Sequence, residues 1–336
     1  FDRFITEEQF GWRVAENCPN AIKILDSEDL HFLREARLQC FKQNIECKTK
    51  HLQNEITKRE IASVYRCDLT LIISKYEYDL LVNSFNIPDE LLHYIPMIYN
   101  EIDNSQFKEY PKFEEREYFF SIGNFHHQPN WETVLQLKNT FWPLIRKQLP
   151  KSELHIYGAY IPEKAKQLHN QKEGFIIKGR ADNSISTFKK YKVLLAPIPF
   201  GAGIKGKLLE SMLYGTPNIT STIGSEAMQG DLDWNGFIED NPEEFAKKAV
   251  ELYSNEVVWK QSQENGITII NKCFNKDNFE DKFIQKINSL IENIESHRQN
   301  NFMGQLLNHH TLKSTMYMSK WIEEKNANKK IPNSEL

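Results

Sequence analysis

Between residues 193 and 220 the chain reads as strand, glycine loop, helix and second strand, and this unit constrains the fold more than any other feature. Val193–Pro197 is an apolar run, Gly201 and Gly203 follow, and residues 205–214 have helical spacing. Gly215-Thr-Pro217 then turns the chain into a second run that ends at Thr220. Two strands joined through a helix lie parallel, because the connection returns the chain to the same edge of the sheet. A parallel sheet is covered on both faces, so its strands are apolar throughout. The expected class is α/β.

The alternation extends in both directions. Ala21–Leu25 predicts a strand ending at Asp26, followed by a cap-like Ser27-Glu28-Asp29 and a mostly helical pattern over residues 30–62. Asp68–Ser74 predicts a strand and residues 75–86 a helix. Residues 100–117 are polar, contain Pro111 and predict a linker between domains. Strands are then expected at Tyr118–Ile122, Glu153–Tyr157 and Phe175–Lys178. Helices are expected at 131–149, 162–170, 184–191 and 242–253, with two long ones at 276–298 and 301–325. The expected domains are an N-terminal one over 1–112, a second over 113–290, and a helical extension over 291–336 packing back across them. The opening Phe1-Asp2-Arg3-Phe4, with so few strand–helix units before residue 112, suggests an N-terminal domain lacking its first strands.

Composition narrows the function. Apolar residues at 40% exclude wholesale disorder. No apolar run is long enough to span a bilayer, and none resembles a secretory leader. A net charge of -4 argues against general affinity for nucleic acid. The charge is uneven: residues 1–110 carry a net -6 and the remainder +2, so an anionic ligand belongs with the second part. Cys18, Cys40, Cys47, Cys67 and Cys273 show no CxxC spacing and read as reduced thiols of a cytoplasmic protein, neither a disulfide framework nor a zinc site.

The chemistry concentrates in the glycine loop. Gly201 and Gly203 allow close approach of backbone amides to a ligand, and the helix behind them points its positive end to the same place. Lys205 and Lys207 stand at that end, where a lysine is otherwise unfavourable, which suggests a ligand anion. Glu210 lies one turn further on, within reach of a neutral hydroxyl pair. The Walker A pattern does not fit this loop, which weakens the kinase reading. His126-His127 is a loop pair able to touch a phosphate, and Trp131 and Trp142 read as core residues.

Phe200-Gly-Ala-Gly-Ile-Lys-Gly-Lys-Leu-Leu-Glu210 with Gly215-Thr-Pro217 resembles the donor-site signature of family 4 glycosyltransferases of the GT-B fold. Phe120-Ser-Ile-Gly-Asn124, Gln128-Pro-Asn-Trp131, Leu154-His-Ile-Tyr-Gly158, Lys178-Gly-Arg180 and Ile223-Gly-Ser-Glu-Ala227 agree with it. The resemblance implies two Rossmann-like domains facing across a cleft, the N-terminal one on the acceptor side and the C-terminal one holding a nucleotide sugar. It implies a retaining transfer from a nucleoside-diphosphate sugar, with no cofactor, no bound metal and no protein nucleophile. The only Asp-x-Asp triplet, Asp231-Leu-Asp233, lies outside the signature.

Residue by residue, the resemblance places Gly203, Lys205 and Lys207 at the diphosphate, Gly123 against the phosphates and Glu210 at the ribose, with Gly201 a further donor-binding residue of the loop. Gly179 and Arg180 fall at the nucleobase, and Asp26, Asp29 and His31 near the acceptor or the sugar. Lys205, Asp26 and His31 are the catalytic candidates. The chain departs from the pattern at Ala202, where the family's Glu-x7-Glu motif has its first glutamate, and at Asn124 and Pro129, where many relatives carry an arginine and a lysine. An unknown acceptor is expected, a glycan, lipid-linked glycan or small molecule, and attachment to the inner face of a membrane stays open. The alternative is a sugar-nucleotide-binding or scaffold protein of the same fold that has lost turnover.

Overall fold

The computed structural model describes residues 1–328 and divides the chain into two compact units. Residues Met97–Asn278 form one, and Phe1–Pro96 with the chain from Phe279 onward form the other. Both are α/β with parallel sheets.

The sheet of the Met97–Asn278 unit has six strands: β4 (Glu117–Ile122), β5 (Leu154–Tyr157), β6 (Phe175–Gly179), β7 (Tyr191–Ala196), β8 (Asn218–Thr220) and β9 (Gly236–Ile238). Their order is β6-β5-β4-β7-β8-β9 and every pair is parallel. β4 and β7 lie at the centre, with Phe119 opposite Val193. Phe119, Leu154, Ile156, Val193, Leu195 and Ile219 are fully buried against helices carrying Trp142, Phe245 and Trp259. The next residue along β4, Phe120, packs on the other face against Phe188 and Tyr191. Burial on both faces is why β4 and β7 carry consecutive apolar residues.

Arg116, just before β4, is buried and has no ion pair among the described residues. Its guanidinium instead donates to the carbonyls of Pro111 (3.0 Å), Phe188 (3.0 Å), Tyr191 (3.3 Å) and Tyr214 (2.9 Å) and to the Thr216 hydroxyl (2.7 Å). Burial pulls its pKa down to about 10. These contacts fix the turn between the helix Gly206–Leu213 and β8.

Residues 97–116 are part of this unit and not the expected linker. Tyr99 donates its amide to Phe274 at 2.8 Å, Ile102 exchanges two hydrogen bonds with the Asn271 side chain, and the Tyr110 hydroxyl donates to the Leu213 carbonyl. The units therefore divide after residues 96 and 278, where the sequence suggested 112 and 290.

The sheet of the other unit contains β1 (Ile24–Asp26), β2 (Leu69–Ile72) and β3 (Leu92–Tyr94), all parallel. The pattern over residues 30–62 resolves into the helix His31–Gln43, a 3-10 turn Thr49–Leu52 and the helix Glu55–Arg66, broken where Asn44 turns left-handed at φ 52°. The start of the first helix is not capped by Ser27-Glu28-Asp29. Two buried carboxylates do this: Glu77 accepts from the Leu30 amide, and Glu60 accepts from His31 (3.1 Å) and Phe32 (2.9 Å). Burial pushes Glu60 up to about 8 although both amides favour its charged form.

The chain returns to this unit at Phe279, whose ring meets Tyr94 edge-on at 5.9 Å. The expected helix over 276–298 breaks at Phe279 and Asn293. Arg298 forks onto Asp68 with two hydrogen bonds of 2.8 Å. Burial alone would raise Asp68, but Arg298 and the Lys23 amide hold it below the usual carboxylate range. The last described helix, Phe302–Asn328, packs on Arg3–Asn17 and Glu55–Arg66, all within the one unit. The expected extension continues to 336, of which 329–336 lie outside the described residues.

Candidate functional site

A cavity of about 300 Å³ opens beyond the carboxyl ends of β4 and β7, where open α/β sheets bind ligands. Gly123, Asn130, Gly201, Lys205, Lys207 and Glu210 are among its lining residues. The helices Gln128–Gln136 and Gly206–Leu213 both begin there, so two positive helix ends face one space. The first has Pro129 in its opening turn, where proline's missing N–H costs no helical bond.

The glycine loop owes its shape to Gly203, which sits at φ 62° and turns the chain into the second helix. The Lys205 ammonium folds back and donates to the Gly203 carbonyl at 2.8 Å. Lys207 reaches the other loop and donates to Oδ1 of Asn130 at 2.7 Å. Burial lowers the Lys207 pKa to about 8, with Glu210, three residues along, pulling the other way. Burial raises Glu210, and Lys207 opposes that shift. The pair is thus a cation and a carboxylate both paying for desolvation, on the face that lines the cavity.

Gly123 is needed for close packing. A Cβ there would lie 2.6 Å from the Asn130 side chain, the same side chain that holds Lys207. The Asn130 amide is tied in turn to the Asn124 carbonyl at 3.0 Å.

The structure therefore gathers Gly123, Gly201, Lys205, Lys207 and Glu210 around one space, with Gly203 shaping the loop. Ala202, at the position of the absent glutamate, lines it too. Gly179 and Arg180 are not in this lining. Gly179, at φ 96°, accepts from the Gly158 amide at 2.9 Å, and Arg180 is exposed. His127 reaches the cavity, while His126 stacks on Tyr160 with ring centres 4.5 Å apart.

Asp26 and His31 belong to the other unit. Asp26 ends β1 and is exposed. His31 opens the helix His31–Gln43, with Nε2 3.5 Å from Asp29 and its ring edge-on to Phe4 at 5.3 Å. Sequence reasoning missed Asn130 as a site residue, although the Pro-Asn at a helix start was a usable signal. Tyr99 is not in the lining, and its phenol is raised by burial and then by the Glu210 carboxylate.

Residues 116–255 match the family model described as glycosyl transferases group 1. The segment contains the whole lining of the cavity, so the part of the chain that forms the cavity is the part that matches this family, and the fold is α/β of the GT-B class. No curated protein sequence matches the chain.

Among solved structures, TarM of S. aureus, in complex with fondaparinux, alpha-GlcNAc-glycerol and UDP, has a TM-score of 0.61 at 14% identity, over 81% of this chain and 52% of that one. Sucrose-phosphate synthase of Thermosynechococcus elongatus has a TM-score of 0.61 at 15% identity, covering 87% and 73%. The pneumococcal O-GlcNAc transferase GtfA, in complex with UDP and GlcNAc, has a TM-score of 0.58 at 14% identity, covering 84% and 55%. The chain spans about half the length of TarM and of GtfA. Likeness at these identities concerns the fold. No helix among the described residues is long and apolar enough to cross a membrane.

Proposed function

We propose that the chain transfers a sugar from a nucleoside-diphosphate sugar to an acceptor hydroxyl, with retention at the anomeric carbon and no bound metal. The observation that carries this reading is the convergence of two helix starts, Lys205 and Lys207 on one cavity inside the matched domain. As the glycosidic bond breaks, its electron pair stays with the diphosphate, whose negative charge grows. Amides and ammonium groups already aimed at that position stabilise the charge without reorganising, and more strongly in a dry site than in water. Glu210 accepts hydrogen bonds from the ribose hydroxyls, which keep their charge throughout. Gly179 and Arg180 contact the base, and Asp26 and His31 serve the acceptor or the sugar. UDP is the nucleotide to test first, since two of the similar structures are complexes with it. The acceptor is a glycan, a lipid-linked glycan or a small molecule, and the location cytoplasmic.

The test is turnover of UDP-sugars, followed as UDP release with and without EDTA. Release that persists in EDTA supports the reading; release abolished by EDTA and restored by manganese or magnesium removes its metal-free part. A second reading has a specific observation behind it. Ala202 lines the cavity with no carboxylate at that position, which fits a protein that binds the nucleotide sugar without turning it over. UDP binding with no release from any donor and acceptor pair would favour it.

A further inference from the structure

Cys40, Cys47 and His51 are separated by six and three residues, a spacing that matches no familiar metal motif, yet the fold brings them together. The helix His31–Gln43 ends at Asn44 in the left-handed conformation, with the amides of Asn44 and Ile45 closing onto the Phe41 and Cys40 carbonyls. This reversal lays residues 45–48 back over the helix end, and the 3-10 turn Thr49–Leu52 then presents His51. One ligand atom from each of the three side chains lies within 4.8 Å of the others, the only such trio among the described residues.

We propose that Cys40, Cys47 and His51 form a binding site for a thiophilic d10 cation, zinc being the case we commit to, with a fourth position left to water. With Zn–S near 2.3 Å and Zn–N near 2.0–2.1 Å, tetrahedral ligand atoms stand about 3.5–3.8 Å apart. The trio is already within about 1 Å of that spacing. Cys40 is buried and fixed on its helix, whereas the residues beside Cys47 are exposed and free to adjust. Two soft sulfurs and an imidazole select zinc over magnesium or calcium.

Binding balances as the loss of one proton from each thiol, with two sulfur–metal bonds and one nitrogen–metal bond formed. The site accommodates this. His51 Nδ1 accepts from the Lys48 amide at 2.9 Å. Ligation replaces that hydrogen bond, and the exposed amide turns to water. The ion would clip the chain reversal after Gln43 to the 3-10 turn, in the unit that lacks the candidate donor cavity.

The test uses the full chain, reduced with a phosphine and freed of metal, titrated with Co²⁺ as the probe. The expected result is a thiolate-to-cobalt charge-transfer band that saturates at one equivalent and is displaced by Zn²⁺. Cys40→Ser and Cys47→Ser should each abolish the band, His51→Ala should weaken binding, and Cys18→Ser and Cys273→Ser should leave it intact. No band in a wild-type chain with native circular dichroism overturns the proposal, as does a band that both Cys40→Ser and Cys47→Ser retain. If the serine variants do not fold, alkylation of wild-type Cys47 decides: protection by stoichiometric zinc supports the site, and unchanged alkylation overturns it.

Discussion

The Nζ of Lys207 donates to Oδ1 of Asn130 at 2.7 Å, so the two loops of the candidate donor site are joined through one charged hydrogen bond. Gly123 makes room for it, because a Cβ there would lie 2.6 Å from the Asn130 side chain. Gly123→Ala should displace Asn130 and free Lys207, at an overpacking cost of about 1–3 kcal/mol. A folded variant should show a smaller rise in melting temperature with UDP than the wild type does. An equal rise would mean that Asn130 plays no part in holding the cation.

Lys207 also predicts a proton linkage. Its pKa is lowered to about 8 by burial, so at pH 8.5 much of it is neutral in the empty protein. A bound diphosphate favours the charged form and raises that pKa. Binding of UDP at pH 8.5 should therefore take up protons, and should take up fewer at pH 6.5, where Lys207 is already charged. Calorimetry in two buffers of different ionisation enthalpy measures this. Uptake that persists in Lys207→Met would assign the proton to another group.

Glu60 gives the opposite signature in stability. Its folded pKa of about 8 lies above the ordinary 4.5, so between those values the folded chain holds more protons than the unfolded one. Its contribution to stability is present below about 4.5 and is lost as the pH rises through about 8. Wild type compared with Glu60→Gln should thus lose relative melting temperature from pH 5 to pH 8.5. A difference that does not change with pH would contradict the assignment.

Arg116 is a test of packing. Its guanidinium serves four carbonyls and a hydroxyl, all buried or half-buried groups around the turn before β8. Arg116→Met removes this donor from all five acceptors, of which the Phe188 carbonyl keeps the Thr216 hydroxyl, and should cost about 2–4 kcal/mol in urea unfolding. A loss below about 0.5 kcal/mol would show that water or a shift of the chain replaces the arginine.

What the sequence revealed was local and continuous. The strands β4 and β7 bury apolar residues on both faces, and the segment from Gly201 to Glu210 carries its loop, helix start and charges within one short stretch. Asp26 ends β1 as its pattern indicated. What stayed hidden depends on residues far apart or on short elements. β3 and β9 stayed hidden, and they have three residues each, the same length as β1 and β8. The assignment of residues 97–116 rests on pairings such as Ile102 with Asn271, which no local pattern encodes. The cap on His31–Gln43 comes from Glu60 and Glu77 on other helices, and the trio at Cys40 exists only because Asn44 turns left-handed.

The central claim is that Lys207 meets the diphosphate in the cavity it shares with Gly123, Gly201 and Glu210. The direct measurement is calorimetric titration of UDP into wild type and Lys207→Ala at pH 7, with folding checked by circular dichroism. A charge-assisted contact is worth about 1.5–3 kcal/mol, so the variant should bind about 10- to 150-fold more weakly. Equal affinity for UDP in the two proteins would contradict the account and place the nucleotide elsewhere.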